Sequence, residues 1–332
     1  MTAGSLHTAS AHESPGGGAL GRAGRGGRPV YRRSAGTRRL VVLLLSPTLI
    51  VLGLVVGYPI VAALRLSFIV EADRINPRTG LLEHTDSYGI SNYTGMFSGR
   101  TANTFDNAFV NTTTFTITCV LIETVIGVAM ALLMNKAFRG RGFVRASILV
   151  PWAVPTAIAG ILWKWIFQAD GIANSILHAK VLWTTEGFHA WLAVVIADAW
   201  QTAPFIGLLV LAGLQIIPGE IFEAARVDGA NGWRLLCRIT LPLVKPALVV
   251  AVLFRMLDAL RMFDLPYVLI GPHKQSVETL SMLAQYELSN LRYGPAAAYS
   301  TVLFVYIAAI AFVFVKLLGA DIVGRGVEGR RR

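Results

Sequence analysis

Charge and cysteine are both scarce in this chain of 332 residues. Only 15% of the residues are charged and 54% are hydrophobic, which is too apolar for an ordinary soluble protein of this length. The two cysteines, Cys119 and Cys237, are too few for a disulfide framework, and neither lies near a group of histidines. The composition therefore predicts a polytopic membrane protein without a metal site.

Enzymatic signatures are absent as well. The sequence has no phosphate-binding loop ending in Gly-Lys-Ser/Thr, no Gly-x-Ser-x-Gly elbow and no His-Glu-x-x-His pair. We therefore predict a protein that is not an enzyme, holds no cofactor and has no ATPase site of its own. The net charge of +11 lies in short clusters beside apolar runs, without interleaved aromatics. That pattern predicts contact with membrane lipid and no nucleic acid.

Six apolar stretches are each near or above the roughly 20 residues that cross a membrane as a helix. The expected spans are residues 40–64, 108–134, 146–167, 191–216, 246–270 and 296–318. They predict an all-α membrane protein whose transmembrane domain covers residues 40–318. Residues 1–39, rich in Gly, Ala, Ser and Arg, predict a disordered basic tail, and residues 319–332 predict a second basic tail.

Lysine and arginine predict the orientation of these spans. With both termini on one side, 20 basic residues fall on that side and 7 on the other. Cytoplasmic loops carry the excess of basic residues, so both termini are expected in the cytoplasm. Residues 65–107 then form an extracytoplasmic loop with turn signals at Asn76-Pro77 and Gly80, either a small cap or a simple solvated loop. The polar segment 217–245 is expected on the cytoplasmic side.

Ionisable and amide side chains interrupt the apolar spans, and burying a charge there without a partner costs several kcal/mol. In the fifth span, steps of three residues put Arg255 within reach of Asp258 and Arg261 within reach of Asp264. These groups either line a solute pathway or hold neighbouring helices together, and both interpretations remain open. The candidate pathway residues are Glu123, Asp198, Gln201, Arg255, Asp258, Arg261 and Asp264.

The polar segment between the fourth and fifth spans carries helix signals. Pro218 suits the first turn of a short helix, and Gly229 can end that helix in a left-handed conformation. A second short helix is expected from about Trp233 to the Leu241-Pro242 step, where proline disfavours helical geometry in the residue before it. The sequence therefore predicts a compact helix, turn, helix module.

The spacing in this module resembles the EAA loop of permease subunits of bacterial ABC importers. Glu223-Ala224-Ala225 leads to Asp228-Gly229, and Ile239-Thr240-Leu241-Pro242 follows nine residues later. Flanking matches such as Pro151-Trp152 and Pro204-Phe205 are similar to sugar permeases of the MalF and UgpA type, over roughly residues 40–318. One departure is Ile270-Gly271-Pro272-His273, where such permeases commonly have a Gly-Gly-Gly-Pro turn.

The resemblance implies a type I ABC importer permease fold in the bacterial plasma membrane. It implies that the chain forms half of a translocation pathway, in a heterodimer with a second permease subunit. A dimer of ATP-binding subunits would hold ATP and Mg, and an extracytoplasmic solute-binding protein would deliver the solute. The residues it assigns to ATPase coupling are Glu223, Ala224, Ala225, Asp228, Gly229, Ile239, Leu241 and Pro242.

The solute is expected to be a carbohydrate. The stretch from Phe254 to Asp264 resembles permeases for α-linked disaccharides such as trehalose or maltose. Two alternatives remain: a permease for glycerol phosphate or another polar solute, and an ion-coupled secondary transporter. Balanced Arg and Asp residues in the fifth span favour a neutral solute, and the lack of visible inverted repeats disfavours the secondary transporter.

Overall fold

The computed structural model describes residues 35–75, 80 and 82–328. Residues 1–34 of the predicted N-terminal tail therefore lie outside the described residues, and so do Asn76 and Pro77 of the predicted turn. The α-helices of the described chain are α1 (Ala35–Leu52), α2 (Tyr58–Ser67), α3 (Ser91–Met96), α4 (Gly99–Asn135), α5 (Arg141–Ala153), α6 (Thr156–Ile166), α7 (Ile172–Leu177), α8 (Phe188–Gln215), α9 (Gly219–Val227), α10 (Gly232–Leu235), α11 (Leu241–Ala259), α12 (Asp264–Leu269), α13 (Leu280–Ser289) and α14 (Tyr293–Glu328).

The chain divides into two compact units, one ending at Gly57 and the other beginning at Tyr58. The first unit contains α1 and a π-helical turn, Gly53–Gly57. Its leucines and valines are largely exposed, as on a helix that faces lipid rather than water.

In the second unit, the predicted outer loop contains a β-hairpin. Strand β1 (Ile69–Ile75) pairs antiparallel with β2 (Leu82–Tyr88), so that Ile69 lies opposite Tyr88. The Asn92 amide fixes the base of the hairpin by donating to the carbonyls of Ser67 at 3.0 Å and Ile69 at 2.7 Å. The described part of the loop thus contains regular structure, and α4 begins at Gly99, earlier than the predicted span.

Among the residues that the structure describes, five helical stretches are long and apolar enough to cross a membrane, or six if a bent pair of helices counts as one span. The bent pair is α5 and α6, which meet at 97° where Val154 and Pro155 interrupt the helix. The predicted all-α membrane fold with up to six spans is confirmed, while the side on which the termini lie stays a prediction. Helix α14 continues to Glu328, so the predicted C-terminal tail is largely helical.

Helix α8 is the centre of the second unit, with buried small residues where α4 and α11 pack against it. A Cβ added to Gly127 would come within 2.8 Å of Ile206, and one added to Gly213 within 2.6 Å of Ala247. Small residues let membrane helices approach this closely, and dispersion contacts then stabilise the bundle. The same packing brings the polar side chains of α4, α8 and α11 together.

The structure differs from the prediction in the fifth span and at its approach. The helix does not stop at Leu241-Pro242 but runs from Gly232 to Ala259. A π-helical turn, Leu236–Thr240, precedes the proline, and the Leu241 N–H donates to the Leu236 carbonyl five residues back. Such a turn changes the hydrogen-bond register and accommodates the proline. The predicted span 246–270 is itself broken, since α11 ends at Ala259 and α12 begins at Asp264.

Candidate functional site

Arg255 on α11 is the hub of a buried ion cluster. Its Nε donates to Glu123 Oε2 on α4 at 2.5 Å, and its Nη2 donates to Glu123 Oε1 at 3.0 Å. Nη2 also donates to Asp198 Oδ2 on α8, and Nη1 donates to Asp258 Oδ2 at 3.2 Å. The guanidinium therefore joins three membrane helices through their side chains.

This cluster is almost free of solvent. The Arg255 side chain is 3% exposed, that of Glu123 is fully buried and that of Asp198 is 8% exposed. A forked guanidinium that meets a carboxylate through two parallel bonds is among the strongest polar contacts in proteins. Removing one partner from such a pair leaves an uncompensated buried charge, which is strongly destabilising. The triad of Glu123, Asp198 and Arg255 thus fixes the relative positions of α4, α8 and α11.

Asp258 connects the buried triad to solvent. Its side chain is 53% exposed and pairs with Arg261, whose Nη2 lies 3.1 Å from Asp258 Oδ1. The predicted pair of Arg261 with Asp264 is wrong, because α11 already ends at Ala259 and helical spacing does not relate the two residues in the turn that follows. Asp264 is exposed and begins α12, where the positive end of the helix favours a carboxylate.

Two cavities, each of about 270 Å³, adjoin this cluster and share Thr202, Arg255, Asp258 and Arg261 in their walls. The polar cavity is also lined by Asp198, Gln201 and Asp264, with Thr156 and residues 262–265. The aromatic cavity is also lined by Trp152, Phe205 and Phe254. Hydroxyl, amide and charged groups on one side and aromatic faces on the other suit a polyhydroxylated solute.

Two breaks in the membrane helices flank the polar cavity. One is the bend between α5 and α6, and the other is the turn between α11 and α12. Irregular backbone at membrane depth is tolerated where protein or a water-filled cavity satisfies its polar groups. Gln201 does this at the first break, since its Nε2 donates to the Val154 carbonyl at 2.9 Å. Broken helices of this kind commonly line solute sites in transporters.

The same amide leaves one acceptor unused. Gln201 is buried, and its Oε1 has no hydrogen-bond partner among the described residues. A buried carbonyl without a donor is costly, so Gln201 Oε1 is an acceptor available to a hydroxyl group in the polar cavity.

Sequence reasoning named all three members of the triad and the lining residues Gln201, Asp258, Arg261 and Asp264, but not the rest of the lining. Asp198, Gln201, Thr202 and Phe205 follow one another at helical spacing on a single face of α8. This helical spacing could have predicted from the sequence that Thr202 lies beside Asp198 and Gln201. For Thr156 and Phe254 no such signal exists, because only the packing of α6 and α11 against α8 brings them to the cavities.

Cys119 lies next to the triad, with its Sγ within 4.8 Å of carboxylate oxygens of Glu123 and Asp198. Three such groups can hold a metal ion. Here the Arg255 guanidinium already lies between the two carboxylates and neutralises charge there. We therefore assign this cluster to ion pairing.

The helical module before α11 has a well-defined turn. Helix α9 ends in a Schellman motif, in which Gly229 N–H donates to Arg226 O at 3.0 Å and Ala230 N–H donates to Ala225 O at 2.9 Å. Gly229 has φ of +80°, which glycine adopts at little cost. Asn231 then caps α10 by accepting from Arg234 N at 2.9 Å.

The structure separates the eight predicted coupling residues into two groups. Glu223, Ala224, Ala225, Asp228 and Gly229 lie on α9 and its C-terminal turn. Ile239 lies in the π-helical turn before α11, and Leu241 and Pro242 are the first residues of α11. On α9, Glu223 and Ala224 are exposed and Ala225 is buried. Apolar side chains nearby are open to solvent, with Val227 87% and Trp233 73% exposed.

The chain is a helical protein with several apolar spans, cavities lined by polar and charged groups, and an exposed helical module before α11. These features define the class of membrane transport components. Residues 123–331 match the model of one protein family, described as the binding-protein-dependent transport system inner membrane component. The chain therefore belongs to that family. Members of the class are multi-pass membrane proteins, as the helices here also indicate.

Individual relatives are similar over most of the chain. The trehalose transport system permease protein SugA of Mycobacterium tuberculosis is 37% identical over 297 residues, which cover 88% of this chain and 93% of SugA. The trehalose/maltose transport system permease protein MalF of Thermococcus litoralis is 40% identical over 235 residues, covering 69% of this chain and 79% of MalF.

Solved structures share the fold. A chain of the bacterial alginate ABC transporter, in complex with an alginate pentasaccharide-bound periplasmic protein, matches with a TM-score of 0.69. The match covers 85% of this chain and 93% of the other, at 20% sequence identity. This likeness supports the type I ABC permease fold expected from the EAA spacing.

Proposed function

We propose that this chain is the permease subunit of an ATP-driven sugar importer and forms half of its translocation pathway. The observation that carries the proposal is the pair of cavities at the Arg255 cluster, one polar and one lined by aromatic side chains. Carbohydrates combine hydroxyl groups with apolar ring faces, and this lining offers a partner for both. The relatives SugA and MalF, named for trehalose and maltose transport, support the same class of solute.

The solute is proposed to be a neutral oligosaccharide or α-linked disaccharide such as trehalose or maltose. Both guanidinium groups at the cavities already face carboxylates, since Arg255 pairs with Glu123, Asp198 and Asp258, and Arg261 pairs with Asp258. No cation of this cluster is therefore left to hold a phosphate, which is recognised by charge-assisted bonds from Arg or Lys. This argues against glycerol phosphate as the solute.

Energy is proposed to reach the pathway through the α9 module. Its exposed Glu223 suits a basic group on an ATPase subunit, and the small Ala224 permits close approach of the helix to a groove. The partner subunits would be an ATP-binding dimer holding ATP and Mg, a second permease and an extracytoplasmic solute-binding protein. The alginate transporter that shares this fold was solved with a periplasmic protein, which supports the last of these partners.

Competition between solutes tests the proposed cargo. The complex reconstituted with its partner subunits is expected to import labelled trehalose or maltose, and excess glycerol phosphate is expected to leave that uptake unchanged. Inhibition by glycerol phosphate as strong as that by unlabelled disaccharide would assign the cavity to an anion instead.

The exposed pair in the cavity wall gives a second test. Asp258→Asn and Arg261→Gln each remove one charge that faces the cavities, and we expect the KM for sugar uptake to rise about tenfold or more, the effect of losing a charge-assisted hydrogen bond. Thermal stability is expected to change little in Arg261→Gln, because an exposed ion pair contributes about 0–1 kcal/mol.

Arg292→Gln is the control, since Arg292 is also an exposed arginine paired with a carboxylate, that of Glu287, and lines neither cavity. Its KM is expected to equal that of the unmodified chain. Normal KM values in Asp258→Asn and Arg261→Gln would assign this pair to the helix bundle alone.

A further inference from the structure

The loop between α6 and α8 is folded around one buried amide. Residues 167–187 contain the short helix α7, and Asn174 on this helix is 5% exposed. Its Nδ2 donates to the carbonyls of Ala169 and Val181, both at 3.0 Å. Its Oδ1 accepts from Val181 N at 3.2 Å and from Trp183 Nε1 at 2.9 Å. The two ends of the loop are therefore joined through this side chain, which gives α7 a fixed position.

Aromatic contacts attach the loop to the first turn of α8. The buried Trp183 ring lies 5.0 Å from the ring of Phe167 and 5.8 Å from that of His189. Phe188, the first residue of α8, stacks on Trp191 at 6.0 Å. A concentration of aromatic side chains at the end of a membrane helix is typical of the membrane–water interface.

The length of α8 agrees with that placement. The helix has 28 residues and is about 42 Å long at 1.5 Å per residue, which exceeds the hydrocarbon core of about 30 Å. Its aromatic first turn therefore lies at the membrane surface. Because Trp183 holds the loop against this turn, α7 lies at the membrane surface too.

Four aliphatic side chains of the folded loop are exposed. Ile172 is 63% exposed, Ile176 70%, Leu177 53% and Leu182 62%. The two isoleucines are one helical turn apart and lie on the same face of α7. Their exposure is part of the fold, because Asn174 between them is the residue that fixes the loop. Apolar surface gains about 25 cal/mol per Å² when it leaves water, so this face favours an apolar partner.

The composition of this face favours lipid over a protein partner. Protein interfaces concentrate Trp, Tyr and Arg where most of the binding energy lies, and Leu is under-represented there. A solute-binding protein that docks transiently would also leave the four side chains in water between encounters. The preceding helix α6 likewise exposes apolar side chains, among them Ile161, Leu162 and Trp165. Lys180 in the loop is exposed and suits the phosphate of a lipid headgroup.

We propose that the α7 loop is an interfacial membrane anchor, in which Ile172, Ile176, Leu177 and Leu182 insert among the acyl chains of bilayer lipids. Helices of this kind lie in the plane of the interface with their apolar face about 5–10 Å into the boundary between headgroups and acyl chains. The anchor would hold the end of α6 at a constant depth, and with it the bend between α5 and α6 that flanks the polar cavity. It does not depend on which solute is carried.

The test is spin labelling of the full-length chain in liposomes, alone and together with its partner subunits. A nitroxide on Ile176→Cys is exposed to oxygen, which concentrates among acyl chains, and to a polar nickel complex, which stays in water. We expect the ratio of oxygen to nickel accessibility to be about tenfold higher there than on Asp170→Cys, because a polar reagent is strongly disfavoured in hydrocarbon. Asp170 is the matched control, an exposed but charged residue of the same loop. The unsubstituted chain, labelled in parallel, gives the background from the native Cys119 and Cys237.

Three outcomes distinguish the possible surroundings of α7. A high ratio at Ile176 with and without the partner subunits supports the anchor. A ratio as low as that at Asp170 would place α7 in water and overturn the proposal. Low accessibility to both reagents in the complex would mean that another subunit covers this face, which overturns it as well. Leu182→Cys repeats the measurement near the other end of the loop and decides the matter if Ile176→Cys does not fold.

Discussion

Replacement of Arg255 by methionine is expected to destabilise the chain by about 3–5 kcal/mol, the usual result of breaking a buried ion pair from one side. The change removes the guanidinium that pairs with both Glu123 and Asp198 and leaves these two carboxylates without that cation in a site almost free of solvent. Chemical or thermal unfolding of the purified chain measures the loss. The yield of membrane-inserted protein is expected to fall with it.

The matched control is Arg261→Met, because Arg261 is also paired with an aspartate but has a side chain that is 70% exposed. Its loss is expected to cost about 0–1 kcal/mol. A triple variant, Arg255→Met with Glu123→Gln and Asp198→Asn, is expected to recover most of the lost stability, since no buried charge then remains. A small effect of Arg255→Met, equal to that of Arg261→Met, would contradict the role of the triad in holding three helices.

Gly229→Val is expected to lower the number of sugar molecules imported per ATP hydrolysed by roughly tenfold, the factor that a strain of about 1–2 kcal/mol in the turn can produce. A Cβ at Gly229 would meet no other atom within 4 Å, so steric collision is not the cause. The cause is φ of +80°, which a β-branched residue adopts only at a cost of about 1–2 kcal/mol. Valine would therefore alter the turn after α9 and the position of the surface that carries Glu223.

Gly232→Val is the control, because it introduces the same side chain at a glycine without backbone strain. Gly232 begins α10, has open space around it and does not need a positive φ. Its coupling ratio is expected to stay near that of the unmodified complex. Uptake and ATP hydrolysis measured together in proteoliposomes give the ratio, and unchanged coupling in Gly229→Val would remove this turn from the energy pathway. Glu223→Ala is expected to reduce coupling in the same assay while leaving membrane insertion intact.

Much of the fold could be predicted because its determinants are local in sequence. Long apolar runs predicted the membrane helices, and a left-handed glycine after Val227 predicted the end of α9. The breaks were missed because apolar composition continues through them: Val154-Pro155 and residues 260–263 interrupt helices inside apolar stretches. The rule that a proline ends the preceding helix failed at Pro242, because a π-helical turn accommodates this proline and the helix continues as α11.

The site was only partly predictable, because ion pairing between helices is not local. Spacing within one helix correctly paired Arg255 with Asp258, three residues apart. It could not show that the strongest partners of Arg255 are Glu123 and Asp198, which lie 132 and 57 residues away in sequence. It also paired Arg261 with Asp264, which both lie beyond the end of α11 at Ala259, where the spacing of that helix no longer applies. The unsatisfied carbonyl of Gln201 likewise depends on the fold, because its amide nitrogen is used by Val154 of another helix.

The most direct test of the central claim is the energy source of transport. Proteoliposomes containing this chain with its second permease, ATPase dimer and solute-binding protein are supplied with labelled trehalose or maltose, with or without ATP on the ATPase side. We predict accumulation that requires ATP hydrolysis and the ATPase subunits and persists when ionophores remove all ion gradients. Accumulation by this chain alone, driven by a proton or sodium gradient without ATP, would contradict the account and identify a secondary transporter.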